Sequence, residues 1–182
     1  MKNARSFRAI VDSGVIAAAG VIAAMYAALC LLFAPISFGP AQLRVAEALT
    51  VLPYFGWGAI PGLFIGCIIA NFYSPFGILD IVVGSLASLI AAVCTYFIGK
   101  KIKNRMLALF LAPLPPVLSN GILIALMITL VSEDGFSLGF FFPLAAQIAA
   151  EEFLVCYFLG IPLLIALEKI RDKAGLEKLF DN

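Results

Sequence analysis

The chain has 182 residues, of which 63% are hydrophobic and 13% charged, and its mean hydropathy is +1.09. Soluble domains contain roughly half apolar and about a quarter charged residues, so this chain could not cover a surface that faces water, and we predict an integral membrane protein. The net charge is +1 and the basic residues do not gather on one exposed face, which argues against a nucleic-acid-binding protein.

Apolar segments long enough to cross a membrane recur along the chain, since about 20 helical residues span the hydrocarbon core. Four such segments lie at about 11–32, 78–99, 107–131 and 139–167. Shorter apolar stretches lie at about 41–55 and 58–73, and Gly56-Trp57-Gly58 separates them as a tight turn. We therefore predict one domain over residues 1–182, an all-α bundle of six transmembrane helices. The first segment has a basic flank but is too long for a cleaved signal peptide, so we expect it to stay.

Basic residues predict the orientation of this bundle. They form three clusters, which are Lys2, Arg5 and Arg8 before the first helix, KKIKNR at 100–105, and Lys169, Arg171, Lys173 and Lys178 after the last helix. Positive residues stay in the cytoplasm, so three clusters on one side require an even number of crossings between them. Six helices meet this condition, with both termini cytoplasmic and Arg44 alone toward the outside.

Acidic residues also gather toward the outer half of the predicted bundle. They are Glu47, Asp80, Glu133, Asp134, Glu151 and Glu152. Glu133 and Asp134 lie in the loop SEDG and are interpreted as solvated charges. A charge at mid-membrane costs about 2.5–3.5 kcal/mol, so such residues are usually paired or line a pocket. The other four acids therefore predict a polar cavity that opens outward.

Uncharged amides can join these acids. Gln147 and Glu151 are four residues apart and share a helix face, whereas Glu152 points about 100° away, so at most one of the two glutamates faces the same pocket as Gln147. Asn71 and Asn120 lie where an amide has no water to bind, so each needs an internal partner or a ligand. For any one of these amides, a hydrogen bond to a neighbouring helix is as good an explanation as contact with a ligand. The prediction of a binding site therefore depends on the presence of several such amides together.

Arg44 and Glu47 lie three residues apart on the short second helix. They can form an ion pair with one another. Alternatively, Arg44 orients the outer loop while Glu47 faces the cavity as an acceptor. The two interpretations are compatible, because a paired carboxylate can also bind a ligand.

The first helix carries two rows of small residues at a spacing of four. The rows are Ala19, Ala23 and Ala27, and Gly20, Ala24 and Ala28. Small residues let helix backbones approach closely in a membrane. The rows either pack inside the bundle or dock another membrane protein, and the spacing leaves both open.

Other classes of protein are less well supported. The four cysteines stand singly and the chain has no histidine, so neither a disulfide framework nor a metal site is predicted. The paired glutamates of AAEEFLV lack the histidine ligands that a membrane metallopeptidase needs, and we expect no enzyme. A stand-alone secondary transporter stays an alternative, although no inverted repeat is evident.

These segments together resemble a known family. RVAEALTVLPYF, IPGLFIGCIIANFYSPFGILDIVVGSLASL and the small-residue rows are similar to the substrate-binding membrane subunits (S components) of energy-coupling factor (ECF) transporters. Within these, the chain most resembles the QueT family, which is assigned to queuosine precursors. The resemblance covers about residues 8–170, and residues 43–90 are its most specific part.

The resemblance implies a high-affinity binding subunit in the bacterial plasma membrane that captures a micronutrient from outside. It also implies a transmembrane coupling subunit and two cytoplasmic ATPase subunits as partners, with the first helix as the contact. The contact maps to Ala24 and Ala28, or to Ala23 and Ala27. The chain has no GxxxxGKS/T motif, so ATP hydrolysis falls to the partners. No cofactor is implied, and an S component for a different vitamin is the alternative within this class.

The implied ligand is a 7-deazaguanine such as preQ1 or queuine. Its ring N–H and amino group suit a carboxylate, its carbonyl suits an amide, and its side-chain amine suits a second carboxylate. Aromatic side chains could stack on the ring. The residues predicted to bind it are Arg44, Glu47, Asn71, Tyr73, Asp80, Asn120, Phe141, Gln147, Glu151 and Glu152.

Overall fold

A computed structural model describes residues 13–39, 43–133 and 135–174, and its description of side chains ends at residue 170. Within these ranges the chain is helical and contains no strand. The elements are α1 (Ser13–Leu32), α2 (Ala34–Ser37), a 3-10 helix (Val45–Tyr54), α3 (Ala59–Asn71), α4 (Ile78–Lys101), α5 (Arg105–Leu111), α6 (Leu114–Val131), α7 (Leu138–Val155), a π-helical segment (Cys156–Gly160) and α8 (Ile161–Ala174). The predicted all-α class is confirmed.

Four segments of the described chain are long and apolar enough to cross a membrane. They are Ser13–Leu32, Ile78–Lys101, Arg105–Val131 and Leu138–Ile170, and they match the four long helices expected from hydropathy. Two shorter apolar helices, Val45–Tyr54 and Ala59–Asn71, take the places of the predicted stretches 41–55 and 58–73. The count of six crossings and the cytoplasmic termini stay predictions. Lys2, Arg5, Arg8, Asp134 and Lys178 lie outside the described residues, as do the predicted helix starts at 11 and 41.

The segment Val45–Tyr54 winds as a 3-10 helix of ten residues, with Pro53 inside it. Proline lacks an N–H, and in an α-helix its ring clashes with the carbonyl four residues earlier. A 3-10 helix has three residues per turn, so side chains three apart lie directly above one another. Glu47 and Thr50 therefore stand on one face of the helix.

This 3-10 helix lies at the centre of the bundle. All residues from Ala46 to Pro53 are buried, and α1, α3, α4, α7, α8 and the π-helical segment contact them. Its apolar side chains belong to the larger hydrophobic core, together with Leu63 and Leu164. A second, smaller core joins α6 to α7 around Ile124 and Ile148.

Helices α1 and α3 approach closely because glycines of α3 face small residues of α1. A Cβ atom built at Gly62 would lie 2.7 Å from the carbonyl oxygen of Ala19, and one at Gly66 would lie 2.9 Å from that of Ala23. These contacts advance in the same direction along both helices, so α1 and α3 run parallel. The 3-10 helix between them therefore runs the opposite way.

Candidate ligand-binding site

Buried polar side chains from six elements converge beside the start of the 3-10 helix. They are Tyr26, Arg44, Glu47, Asn71, Asp80, Asn120 and Glu152, and we refer to them as the polar cluster. Tyr26 comes from α1, Asn71 ends α3, Asp80 is in the first turn of α4, and the last two come from α6 and α7. Inside a membrane bundle such residues are expected to pair with one another or to line a cavity.

Arg44 forms an ion pair with Asp80, not with Glu47. Its Nη2 lies 2.8 Å from Asp80 Oδ2, and both side chains are at most 8% exposed. The guanidinium also lies over the ring of Phe38, 5.6 Å from its centroid. Arg44 thus connects the segment before the 3-10 helix to the start of α4.

Glu47 accepts a short hydrogen bond on Oε1 from the hydroxyl of Tyr26. Both residues are almost fully buried, with exposures of 1% and 0%. The second oxygen of Glu47, Oε2, has no hydrogen-bond partner among the described residues. Tyr26 was not among the residues predicted from the sequence, because a single tyrosine in an apolar helix is ordinary.

Asn71 and Asp80 form a corner where α3 meets α4. Asn71 Nδ2 donates to the backbone carbonyl of Asp80 at 2.8 Å. Neither Asn71 Oδ1 nor Asp80 Oδ1 has a partner within the described part of the chain. A Cβ atom at Gly84 would lie 2.7 Å from Asn71 Nδ2 and 2.9 Å from Asp80 Oδ1, so a larger residue at this position would displace both side chains.

Glu152 reaches the same cluster from α7. Its Oε1 accepts from Asn120 Nδ2 at 2.9 Å, and its Oε2 accepts from Cys156 Sγ at 3.6 Å. Cys156 Sγ also lies 3.6 Å from the backbone carbonyl oxygen of Glu47. Glu152 and Glu47 are therefore neighbours, because both contact the same thiol.

Four of the predicted residues lie outside the polar cluster. Gln147 Nε2 donates to Glu151 at 3.0 Å on an exposed face of α7, which confirms that these two share a face and that Glu152 points elsewhere. Tyr73 is 64% exposed. Phe141 packs against the second core between α6 and α7.

Three buried acceptors of the cluster are left without a partner in the described residues, namely Glu47 Oε2, Asn71 Oδ1 and Asp80 Oδ1. A buried polar group without a hydrogen bond costs about 1–3 kcal/mol, so these atoms indicate a place where a ligand or water binds. No group of three His, Cys, Asp or Glu side chains in the described ranges is arranged to hold a metal ion. The cluster is suited to a ligand that carries hydrogen-bond donors.

A second surface lies on the outside of α1. The two small-residue rows separate here, since Ala23 and Ala27 are buried, whereas Gly20, Ala24 and Ala28 are exposed. Next to the exposed row is an apolar cavity of about 650 Å³ between α1 and α3, lined in part by Gly20, Trp57 and Phe64. A face of this shape can accept a helix of another protein at close range.

The sequence model of one protein family, described as QueT transporter, matches residues 16–169. The chain is also similar to the queuosine precursor transporter QueT of Lactococcus lactis subsp. cremoris (strain MG1363), with 38% identity over 90 residues. That alignment covers 50% of this chain and 50% of the relative, so the chain matches about half the length of its curated relative. No solved structure matches.

Proposed function

This chain belongs to the QueT transporter family, and we therefore propose that it captures a queuosine precursor as the binding subunit of an energy-coupling factor importer. Four membrane-length helices and the family assignment make it a multi-pass protein of the cell membrane. It binds and releases its substrate, and no covalent step is assigned to it. Energy comes from a coupling subunit and two ATPase subunits.

The observation that carries this proposal is the set of unpartnered acceptors in the polar cluster. A 7-deazaguanine presents a ring N–H beside an exocyclic amino group, and two adjacent acceptors can bind this edge together. Asp80 Oδ1 and Asn71 Oδ1 both lack a partner in the described residues, and the two side chains lie against the same residue, Gly84. Glu47 Oε2 is a third. The predicted substrate and the open hydrogen-bonding capacity are therefore complementary.

The path of the 3-10 helix supports six crossings with the site facing outward. Its start lies beside Tyr26, close to the outer end of α1. Its end lies at the opposite side, where the hydroxyl of Tyr54 donates to Glu168 at 3.4 Å, and Glu168 pairs with Arg105 of the basic KKIKNR connection. Ten residues at about 2.0 Å each give about 20 Å, and α3 returns over a similar length. In this topology the polar cluster occupies the outer half of the bundle.

The proposed contact with the partner subunits lies on the exposed row of small residues of α1. Of the two predicted pairs, Ala24 and Ala28 are exposed, while Ala23 and Ala27 are buried within the bundle. We therefore assign the contact with the coupling subunit to Ala24 and Ala28.

The proposal is tested by calorimetric titration of the purified chain in detergent with preQ1, queuine, guanine, riboflavin and thiamine. We expect dissociation constants below about 1 μM, equivalent to about −8 kcal/mol, for 7-deazaguanines alone. Binding of riboflavin or thiamine instead would assign the chain to a different vitamin. An absence of binding for the whole panel would contradict the proposal.

A further inference from the structure

The polar cluster contains more negative than positive charge. Among the described residues it holds one cation, Arg44, and three acids, Glu47, Asp80 and Glu152. When all are ionised the sum is +1 − 3 = −2. Arg44 is bonded to Asp80, so the surplus resides on Glu47 and Glu152.

The surplus carboxylates are not neutralised by the donors around them. Glu47 accepts from Tyr26, and Glu152 accepts from Asn120 and Cys156, all of which are uncharged donors in these contacts. Each carboxylate offers about four lone-pair positions, so both retain free capacity, and Glu47 Oε2 has no partner in the described chain. A buried carboxylate of this kind either takes up a proton or is accompanied by a countercharge, and a cationic ligand supplies that countercharge.

We propose that this site selects a 7-deazaguanine with a protonated amine on its 7-substituent, and that Glu47 and Glu152 are its specificity-determining residues. The inference rests on the proposed function and adds the charge of the substrate to it. The guanine edge binds the Asn71–Asp80 corner, and the ammonium binds between the carboxylates of Glu47 and Glu152, whose residues both contact Cys156 Sγ. The protonated amine of the 7-substituent therefore decides which precursor is captured.

The contribution of the ammonium group to affinity is measured by comparing two ligands that have the same ring. The 7-aminomethyl compound is cationic at neutral pH, whereas the 7-cyano compound is neutral and presents the same guanine edge. Charge-assisted hydrogen bonds are roughly twice as strong as neutral ones. We expect the wild-type chain to bind the 7-aminomethyl compound at least tenfold more tightly.

Single substitutions then test which residues cause the preference for the cationic ligand. Glu47→Gln and Glu152→Gln each remove one charge at nearly constant shape, and each should reduce the preference for the cationic ligand toward unity. Glu151→Gln is the matched control, because Glu151 bonds to Gln147 on a different, exposed face of α7, and this variant should leave the preference unchanged.

The outcomes separate this inference from the proposed function. Equal affinity of the wild-type chain for both ligands overturns charge selection while the proposed function stands. A preference that survives both glutamine substitutions overturns the role of the two residues. Loss of all binding in the wild-type chain contradicts the proposed function itself. If a variant fails to fold, the wild-type comparison of the two ligands still tests the charge selection.

Discussion

Arg44 and Asp80 form an ion pair inside the bundle, with 2.8 Å between Arg44 Nη2 and Asp80 Oδ2. The two residues are 36 positions apart in the sequence. The pair fixes the chain before the 3-10 helix against the start of α4. Asp80 also balances the charge of Arg44. The remaining negative charge of the polar cluster therefore lies on Glu47 and Glu152. The pair is thus structural and electrostatic at once.

Replacing Asp80 with Asn should destabilise the chain strongly, because removing one partner of a buried ion pair costs about 3–5 kcal/mol. The double variant Arg44→Met/Asp80→Asn removes both charges and should recover part of the loss. Thermal unfolding can be followed with a thiol-reactive fluorogenic dye, since Cys30, Cys67 and Cys156 are buried and become reactive on unfolding. A Cys94→Ser background removes the exposed thiol. Equal midpoints for wild type and Asp80→Asn would contradict the structural role.

Tyr26 orients Glu47 through a hydroxyl that nothing else in the described chain replaces. Tyr26→Phe keeps the ring in its place but removes the donor, and hydrogen bonds to charged groups contribute about 1.5–3 kcal/mol. We expect the affinity for the 7-deazaguanine ligand to fall about tenfold or more in titration calorimetry. Tyr96→Phe is the control, since that hydroxyl bonds to Lys100 on the exposed side of α4. An unchanged affinity in Tyr26→Phe would remove Tyr26 from the site.

The contact between α1 and α3 depends on glycine at two positions. In Gly66→Ala the new Cβ would lie 2.8 Å from Tyr26 Cβ and 2.9 Å from the carbonyl oxygen of Ala23, so the helices must separate. Overpacking of this kind costs about 1–3 kcal/mol, and the unfolding midpoint should fall by several degrees. Gly20→Ala is the matched control, because its Cβ would meet nothing within 4 Å. Equal unfolding midpoints for Gly66→Ala and Gly20→Ala would show that the contact between α1 and α3 accommodates the added methyl group without loss of stability.

The elements differ in how far the sequence predicts them. The start of α4 at Ile78 follows from hydropathy and from the turn before it, where Gly77 has φ of 57°. The 3-10 winding of Val45–Tyr54 could not be predicted, because an apolar stretch with one proline is compatible with an interrupted α-helix as well. That winding places Glu47 and Thr50 on one face, and it is decided by packing against the surrounding helices.

The polar cluster was predictable in part for a related reason. Charged and amide side chains inside apolar segments are visible in any sequence, and Arg44, Glu47, Asn71, Asp80 and Asn120 do meet. The choice between Glu151 and Glu152 depends on which face of α7 meets α6, and helical phase alone does not fix that.

At the scale of the whole molecule, the proposed ligand site and the proposed docking row of α1 lie on different parts of the structure. The double variant Ala24→Trp/Ala28→Trp adds bulk to the exposed row of α1 and should abolish uptake in cells that contain the coupling and ATPase subunits. Ligand affinity of the purified chain should be unchanged, because neither residue is in the polar cluster. The control is Val82→Trp/Leu86→Trp, which adds the same bulk to an exposed face of α4 and should preserve uptake. Joint loss of uptake and binding would indicate that the row stabilises the bundle instead.

The short α3 has a consequence for the lipid around the protein. Thirteen residues at 1.5 Å each give about 20 Å, whereas the hydrocarbon core of a typical bilayer is about 30 Å thick. Ile65 and Ile69 of α3 are exposed, so in the proposed six-crossing topology lipid tails meet a helix shorter than the hydrocarbon core, and thinning of the bilayer is one way to accommodate it. Deforming the bilayer around a short helix costs free energy along the edge of the thinned region. When two proteins with such regions associate, the total length of that edge decreases, and so does the free-energy cost. The membrane itself should therefore draw a coupling subunit with a similarly thin edge toward the side where α1 and α3 meet.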